Sequence, residues 1–398
     1  MTNLAQLTLE WLFLIPVIGG SVYALLCLLA LIRFRRNANA PGIQPEVWPP
    51  VTVLKPVHGL EKNQRENLRS TCLQDYPEYQ VVFSVQEADD AAIPLLNELQ
   101  REFGAERVTV AIENFRAGTN GKINNMIGGL RQARYDTLVI SDSDVLLNPD
   151  YLKTIVAPLS DPGVGCACTL YKAARAERWY EKMELLTLNA DFITNVLFAH
   201  ISGASKFCLG ASAALHRSTL DRIGGLEALS DYLVEDYEMG RRIGLLGKKI
   251  AIIPCFVDTI VDLKSPSQWW NHQVYWDQNT RAARPFAFFA TALIRSVPFA
   301  LLYAIVRLGD RVGLGVLGGA CAIRILSAAM ILRWGLRDRE GLRSLWLLVF
   351  RDISALATWL LAFTKKTTIW RGTSFILTRD GRLVDQNSIA HDELRVTN

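Results

Sequence analysis

The 398-residue chain lacks the cysteine pattern of a disulfide scaffold or a structural zinc site. Its seven cysteines (Cys27, Cys72, Cys166, Cys168, Cys208, Cys255 and Cys321) are odd in number and irregular in spacing. Cys166-x-Cys168 lies in an apolar, strand-like run, with no second Cys or His pair at zinc spacing. All seven are therefore expected as reduced packing residues of a cytosol-facing protein. Charge of one sign is scarce as well: 43 Lys and Arg against 39 Asp and Glu leave a net +4. No basic stripe is interleaved with aromatics, so the chain carries no footprint for nucleic acid. No positive charge precedes the first long apolar run, and the run is too long for a signal-peptide core, so a cleaved leader is not expected.

What is present is a high apolar fraction, 50%, in a chain long enough for two domains or more. A mean hydropathy of +0.16 fits a globular domain with membrane segments attached. Trp11–Ile32 is uncharged and long enough to cross a bilayer. Arg33, Arg35 and Arg36 follow at once, which places the end of this anchor (1–36) in the cytoplasm. Residues 37–50 hold Pro41, Gly42, Pro45, Pro49 and Pro50 and read as a linker.

From Val51 the pattern alternates. Val51–Leu54, Gln80–Val85, Arg107–Ile112 and Thr137–Ile140 read as strands, with helical stretches at Lys62–Cys72, Ala91–Phe103 and Lys122–Arg134. Val164–Leu170 and Ser212–Leu215 add strands. Such alternation predicts an α/β domain over 51–285, with a mainly parallel sheet covered on both faces. Arg178–His200 is helical but too charged to span, so it is expected in the domain or at the membrane surface. Three apolar stretches follow in 286–364: Phe286–Val306, Val312–Trp334 and Leu342–Phe363. Arg295, Arg324 and Arg351-Asp352 interrupt them, so two or three membrane helices are expected. In the tail, 365–398, Phe375–Val384 reads as a hairpin around Asp380-Gly381.

The chemistry gathers at the C-terminal ends of the strands, where open α/β sheets bind ligands. Asp142 and Asp144 follow the strand Thr137–Ile140, and their i, i+2 spacing suits a hard divalent cation. Lys55 ends the first strand and stands where a nucleotide would pass, although an ordinary surface lysine fits equally. Asp89 and Asp90 end the second. Asn120-Gly-Lys122 opens a helix, a place suited to a diphosphate. Glu235 and Asp236 head another helix, where acids also serve the macrodipole. Trp269–Trp276 is an aromatic cluster before the membrane region, and an interfacial belt would explain it too.

In that order the motifs resemble the ceramide glucosyltransferase-like family of membrane glycosyltransferases. The likeness is nearest to the bacterial branch that includes hopanoid-biosynthesis-associated glycosyltransferases. It rests on Val53-Leu-Lys-Pro, Gly59, Val85-Gln-Glu-Ala-Asp-Asp90, Lys122-Ile-Asn-Asn125, Asp142-Ser143, Gly224-Gly225-Leu226 and Glu235-Asp236-Tyr237. The resemblance implies a GT-A-like (Rossmann-like) fold, a UDP-sugar donor, and a divalent cation, Mg or Mn. It further implies an inverting transfer of N-acetylglucosamine or glucose to a lipid hydroxyl, a hopanoid polyol in preference to ceramide. By position, Lys55, Asp89, Asp90, Lys122 and Asp142 would bind the nucleotide sugar, Asp144 the metal, and Asp236 would be the base. Glu235, His272, Tyr275 and Trp276 would contact acceptor or sugar. The family's last motif, Gln or Arg, two residues, Arg, Trp, departs here. His272 and Tyr275 stand where Gln/Arg and Arg are usual, and Arg281 or Arg284 would supply the missing cation. The enzyme would be multi-pass in the inner membrane with its catalytic domain in the cytoplasm. A processive polysaccharide synthase and a non-catalytic nucleotide-sugar-binding membrane protein are the alternatives.

Overall fold

The structure, a computed structural model, describes residues 2–38, 45–204, 207–364, 367–370, 373–378 and 381–385. Much of the proline-rich linker, the turn residue Asp380 and the tail beyond Asp385 lie outside these. The chain divides into two compact units. One comprises Met1–Asn37, Ala173–Ser202 and Leu263–Thr368, the other Ala38–Lys172, Gly203–Asp262 and Ile369–Asn398.

Among the described residues, the second unit is built on an eight-stranded sheet. Its strands are β1 (Val51–Pro56), β2 (Tyr79–Val85), β3 (Val108–Ile112), β4 (Thr137–Ser141), β5 (Val145–Leu146), β6 (Val164–Ala174), β7 (Ser212–His216) and β8 (Lys249–Ile260). The order is β3-β2-β1-β4-β7-β6-β8-β5. The half formed by β3, β2, β1 and β4 is parallel, as the strand–helix alternation predicts. β7 then pairs antiparallel with β4 and β6, and β5 with β8. Every residue of β1, β2 and β4 is buried, the mark of parallel strands covered on both faces. Val53 lies in register with Val81 on one side and Val139 on the other. Each such fully buried valine contributes about 1.5–3 kcal/mol. This register brings the ends of β1, β2 and β4, with the loops that follow them, to one edge of the sheet.

β8 is absent from the sequence expectation. Pro254 interrupts its run, and a proline demotes a sequence to an edge or irregular strand. Here Pro254 is exposed, while Asp258 and Thr259 make the antiparallel pairing with β5. The expected tail hairpin is present. β9 (Thr367–Trp370), β10 (Thr373–Leu377) and β11 (Leu383–Asp385) form a small sheet in the order β11-β10-β9. Phe375 pairs with Asp385, and Gly381 takes φ +83°, a conformation that glycine adopts without strain.

The first unit is helical. Leu4–Arg36, Arg311–Leu336 and Arg339–Thr364 are long and apolar enough to cross a membrane. Pro285–Ile294 and Ser296–Val306, bent by 54° at Arg295, add a fourth if counted as one span. Residues 173–202 and 263–283, read from sequence as part of the α/β region, pack here with the apolar helices. The helix expected at Arg178–His200 runs Trp179–Thr187, a π turn Leu188–Phe192, then Ile193–Ile201. The π turn delivers Asp191 to two arginines. Arg324 donates to Asp191 Oδ1 and Asp352 Oδ2, both at 2.8 Å, and Arg351 bonds Asp191 and Asp352. Of the ionisable residues that interrupt these helices, Arg324, Arg351 and Asp352 are thus turned into protein and paired.

Candidate active site

The site is built on the C-terminal edge of the parallel half-sheet. β4 ends at Ser141, and the turn Asp142-Ser143-Asp144 follows. The Asp142 amide donates to Ala211 O at 3.0 Å, which ties this turn to the segment leading into β7. Asn120 caps the helix Gly121–Arg131 in an extended conformation, its side chain accepting from the amides of Lys122 (3.0 Å) and Ile123 (3.2 Å). The cap aims Lys122 across the edge. Its Nζ lies 2.7 Å from Asp142 Oδ1, 3.0 Å from Glu235 Oε1 and 3.5 Å from Gly210 O. Burial opposes the charge on Lys122, but Asp142 and Glu235 outweigh it and hold the ammonium above the ordinary lysine range. Asn120 Nδ2 adds a bond to Glu235 Oε2 at 3.3 Å.

Glu235 and Asp236 open the helix Glu235–Leu245. Asp236 Oδ1 accepts from the Tyr237 amide at 2.7 Å, using one of the free donors of the helix start. A Cβ on Gly210 would lie 3.0 Å from Asp236 Oδ2, so Gly210 lets the backbone pass close to this carboxylate. Burial, then the charge of Glu235, pushes Asp236 up to about 7, with Lys122 opposing. Asp144 is also pushed up to about 7, by burial and then by Asp142 and Glu61, with Lys55 opposing.

Lys55 differs from its expected place. It is fully buried, and its Nζ lies beneath the Asp142–Asp144 turn, donating to Ser141 Oγ and Val145 O at 3.3 Å each. Burial lowers it to about 8, against the pull of Asp144 and Asp142. A side chain so placed supports the turn from below. Asp90 is likewise engaged: its side chain is 3% exposed, and it accepts from the amides of Gly59 (3.0 Å) and Ala92 (2.8 Å). It pins the loop after β1 to the end of β2. Asp89 is exposed beside it.

The structure therefore gathers Lys122, Asp142, Asp144, Glu235 and Asp236, with Lys55 underneath. His272, Tyr275 and Trp276 lie in the first unit, on the helix Pro266–Ala283. His272 Nδ1 stands 3.0 Å from Glu184 Oε1, and its Nε2 accepts from the Trp276 indole N–H at 2.9 Å. Arg281 lies over the Phe363 ring at 6.0 Å. Sequence reasoning missed Glu61, whose Oε2 accepts from Ser143 Oγ at 2.8 Å and whose charge acts on Asp144. The signal was its place in the loop after β1. It also missed Asp231 and Thr119, which tie together the loops bearing Lys122 and Asp236. Five carboxylates (Glu61, Asp142, Asp144, Glu235, Asp236) thus stand with two ammonium groups (Lys55, Lys122). Among the described residues no three His, Cys, Asp or Glu side chains form a ready-made metal cage.

Comparison with known proteins agrees with this architecture. The sequence profile of glycosyl transferase family 21 matches residues 12–383. Ceramide glucosyltransferase 1 of Caenorhabditis elegans is 24% identical over 361 residues, covering 86% of this chain and 74% of its own. Ceramide glucosyltransferase 3 of the same organism is 26% identical over 239 residues, 55% of this chain and 46% of its own. A solved mannosyltransferase from Pyrobaculum calidifontis, in complex with GDP-Man and Mn2+, superposes with a TM-score of 0.52 at 21% identity. It covers 88% of this chain and 99% of that one, and it supports the GT-A-like fold.

Proposed function

The chain belongs to glycosyl transferase family 21, a sugar-transferring enzyme, and from that premise we propose that it moves a hexose from a UDP-sugar to the hydroxyl of a lipid. The observation that carries this reading is the cluster of Lys122, Asp142 and Glu235 with Asp236 beside it, at the sheet edge where α/β folds bind nucleotides. Asp236 is the general base. Its carboxyl, pushed up to about 7, has the basicity to take the acceptor's proton as the hydroxyl oxygen attacks C1 from the face opposite UDP. Glu235 and Asp142 hold Lys122, and Lys122 meets the donor's diphosphate. Lys55 and Asp90 act through the loops they brace. Much of the rate comes from such positioning.

Asp144, with the charges of Asp142 and Glu61 acting on it, would hold a divalent cation, Mg or Mn. Its carboxyl is held near neutrality by burial and neighbouring acids, which marks a place short of positive charge. Bound there, the ion would neutralise charge building on the diphosphate as UDP departs.

We place the enzyme in a membrane with its catalytic unit on the cytoplasmic side. Arg33, Arg35 and Arg36 support that side. A lipid alcohol reaches such a site from the bilayer. Ceramide stands beside the hopanoid polyol as acceptor, because the C. elegans relatives are named ceramide glucosyltransferases.

The test uses the purified full-length chain in lipid nanodiscs, with UDP-glucose or UDP-N-acetylglucosamine and either acceptor, read by lipid mass spectrometry. One sugar per lipid is expected. A ladder of products would indicate a processive synthase. Absence of both transfer and donor hydrolysis with every pair would leave a non-catalytic nucleotide-sugar-binding protein.

A further inference from the structure

The catalytic residues hang from two loops, and both are stapled to the last strand of the chain that the structure describes. One loop is Thr119–Asn120, which caps the helix bearing Lys122. The other is Ser230–Leu233, which leads into Glu235 and Asp236. They are tied to each other first. Asn120 N donates to Ser230 O at 2.7 Å, and Asn120 Nδ2 to Tyr232 O at 2.8 Å. Asp231 Oδ1 accepts from Thr119 N at 3.0 Å and Thr119 Oγ1 at 3.3 Å. The approach is close enough that a Cβ on Gly118 would lie 2.4 Å from Asp231 Oδ1.

The tail hairpin then closes the outer side. Leu383 N donates to Asp231 O at 2.8 Å and Leu233 N to Gly381 O at 3.1 Å, an antiparallel bridge centred on Tyr232 and Arg382. Thr119 Oγ1 also lies 3.2 Å from Leu383 O, so one residue of the tail reaches both loops. The Arg382 guanidinium sits 5.2 Å from the Tyr232 ring centroid, with Nη2 at 3.3 Å from the hydroxyl. Arg242, from the helix that Glu235 opens, lies 5.7 Å from the same ring. Cation–π contacts of this kind add about 0.5–1 kcal/mol each at exposed sites. Leu383 is buried. The hairpin is itself fixed by Thr378: its amide donates to Arg382 O at 3.0 Å, and its hydroxyl accepts from Arg382 N at 2.9 Å.

We propose that this hairpin is a positioning part of the active site. By holding Ser230–Leu233 and Thr119 together, Leu383 and Arg382 set the distance between Lys122 and the Glu235-Asp236 pair. They touch no reacting atom. Their effect falls on the chemical step more than on donor affinity, because a shift of about 1 Å in a catalytic group costs up to about a hundredfold in rate. The kinetic part rests on the transfer reaction proposed above, while the structural part does not.

The experiment compares full-length wild type with Leu383→Pro, which removes the N–H given to Asp231, and with Arg382→Ala. Leu383→Val and Arg382→Lys are the conservative partners. Two readouts are taken: kcat and donor KM for transfer, and amide hydrogen exchange. In Leu383→Pro the amides of residues 120–123 and 231–236 are expected to exchange about tenfold faster or more. Its kcat is expected to fall about tenfold or more with donor KM within about threefold, and Leu383→Val is expected to retain both properties. Wild-type exchange at these amides, or wild-type kcat, in Leu383→Pro overturns the proposal. If that variant does not fold, Arg382→Ala decides, since it keeps every backbone bond. A kcat about threefold lower at unchanged unfolding temperature, restored by Arg382→Lys, supports the proposal; unchanged kcat and exchange overturn it. Should wild type show no transfer at all, the functional reading fails, and the exchange measurement still judges the hairpin.

Discussion

At the scale of single residues, the site is a contest between burial and pairing, and burial prevails at Asp236. Asp236→Asn keeps the shape and the helix-start bond but has no basic oxygen. It is expected to lower kcat by about 10²–10⁴-fold while UDP affinity, measured by calorimetry, stays within a few-fold. As the proposed base, Asp236 must be unprotonated, and burial pushes it up to about 7, so kcat/KM should fall as pH drops below about 7 and level off above it. A flat profile from pH 5.5 to 8 would remove Asp236 as base. Lys122→Met leaves Asp142 and Glu235 facing each other without their shared cation. It should cost about 3 kcal/mol of stability, seen as a lower unfolding temperature. Chelation followed by added Mg2+ or Mn2+ should stop and restore transfer, and full activity in excess EDTA would exclude Asp144 as metal ligand. The acids at strand and helix ends were legible because their types and places follow from the strand-end rule. The depth of Lys55 was not, since a lysine at a strand end reads alike whether its ammonium turns up to solvent or down into the sheet.

Among the elements, the alternating strands and helices from β1 to β4 were legible because each buried strand is a short apolar run bounded by polar helices. β8 was not, because Pro254 hides a strand that tolerates it at an exposed position. The π turn at Leu188–Phe192 was also hidden: Asp191 reads as a solvated helix charge, yet the extra backbone residue turns it onto Arg324 and Arg351. The helix Glu235–Leu245 gives the sharpest test at this scale. A Cβ on Gly240 would lie 2.4 Å from Cys208 N and 2.5 Å from Phe207 Cα, both backbone atoms that cannot swing aside. Gly240→Ala should therefore cost about 1–3 kcal/mol and displace the helix that carries Asp236. Activity should drop with the unfolding temperature, whereas Gly244→Ala, which meets nothing within 4 Å, should leave both unchanged.

For the whole molecule, side-chain contacts fix the relative directions of the apolar helices in the first unit. Glu10 pairs with Arg307 at 3.2 Å, and Arg35 donates to Trp334 O at 2.8 Å. The first helix and Arg311–Leu336 therefore run in the same direction, both ending beside Arg35. The tail strand pairs with Asp231 and Leu233, so it returns to the side of the sheet. We propose a topology in which the first helix ends in the cytoplasm, the bent pair 285–306 crosses once, and Arg339–Thr364, itself long and apolar enough to span, lies along the membrane surface with Arg351 and Asp352 turned inward. Leu308→Cys should react with an impermeant maleimide on intact cells, and Thr378→Cys only after permeabilisation. The reverse pattern would overturn this topology. One consequence of the tail hairpin concerns time. About 120 residues separate the end of β8 from Gly381, and at ~5–20 residues per second a ribosome needs on the order of ten seconds to make them. During that interval all eight strands of the large sheet have been made, while the two loops that the hairpin staples have not yet met it. On the proposal that the hairpin positions the site, that site is set only when residues 381–383 emerge, after the apolar helices of 285–364 have been made.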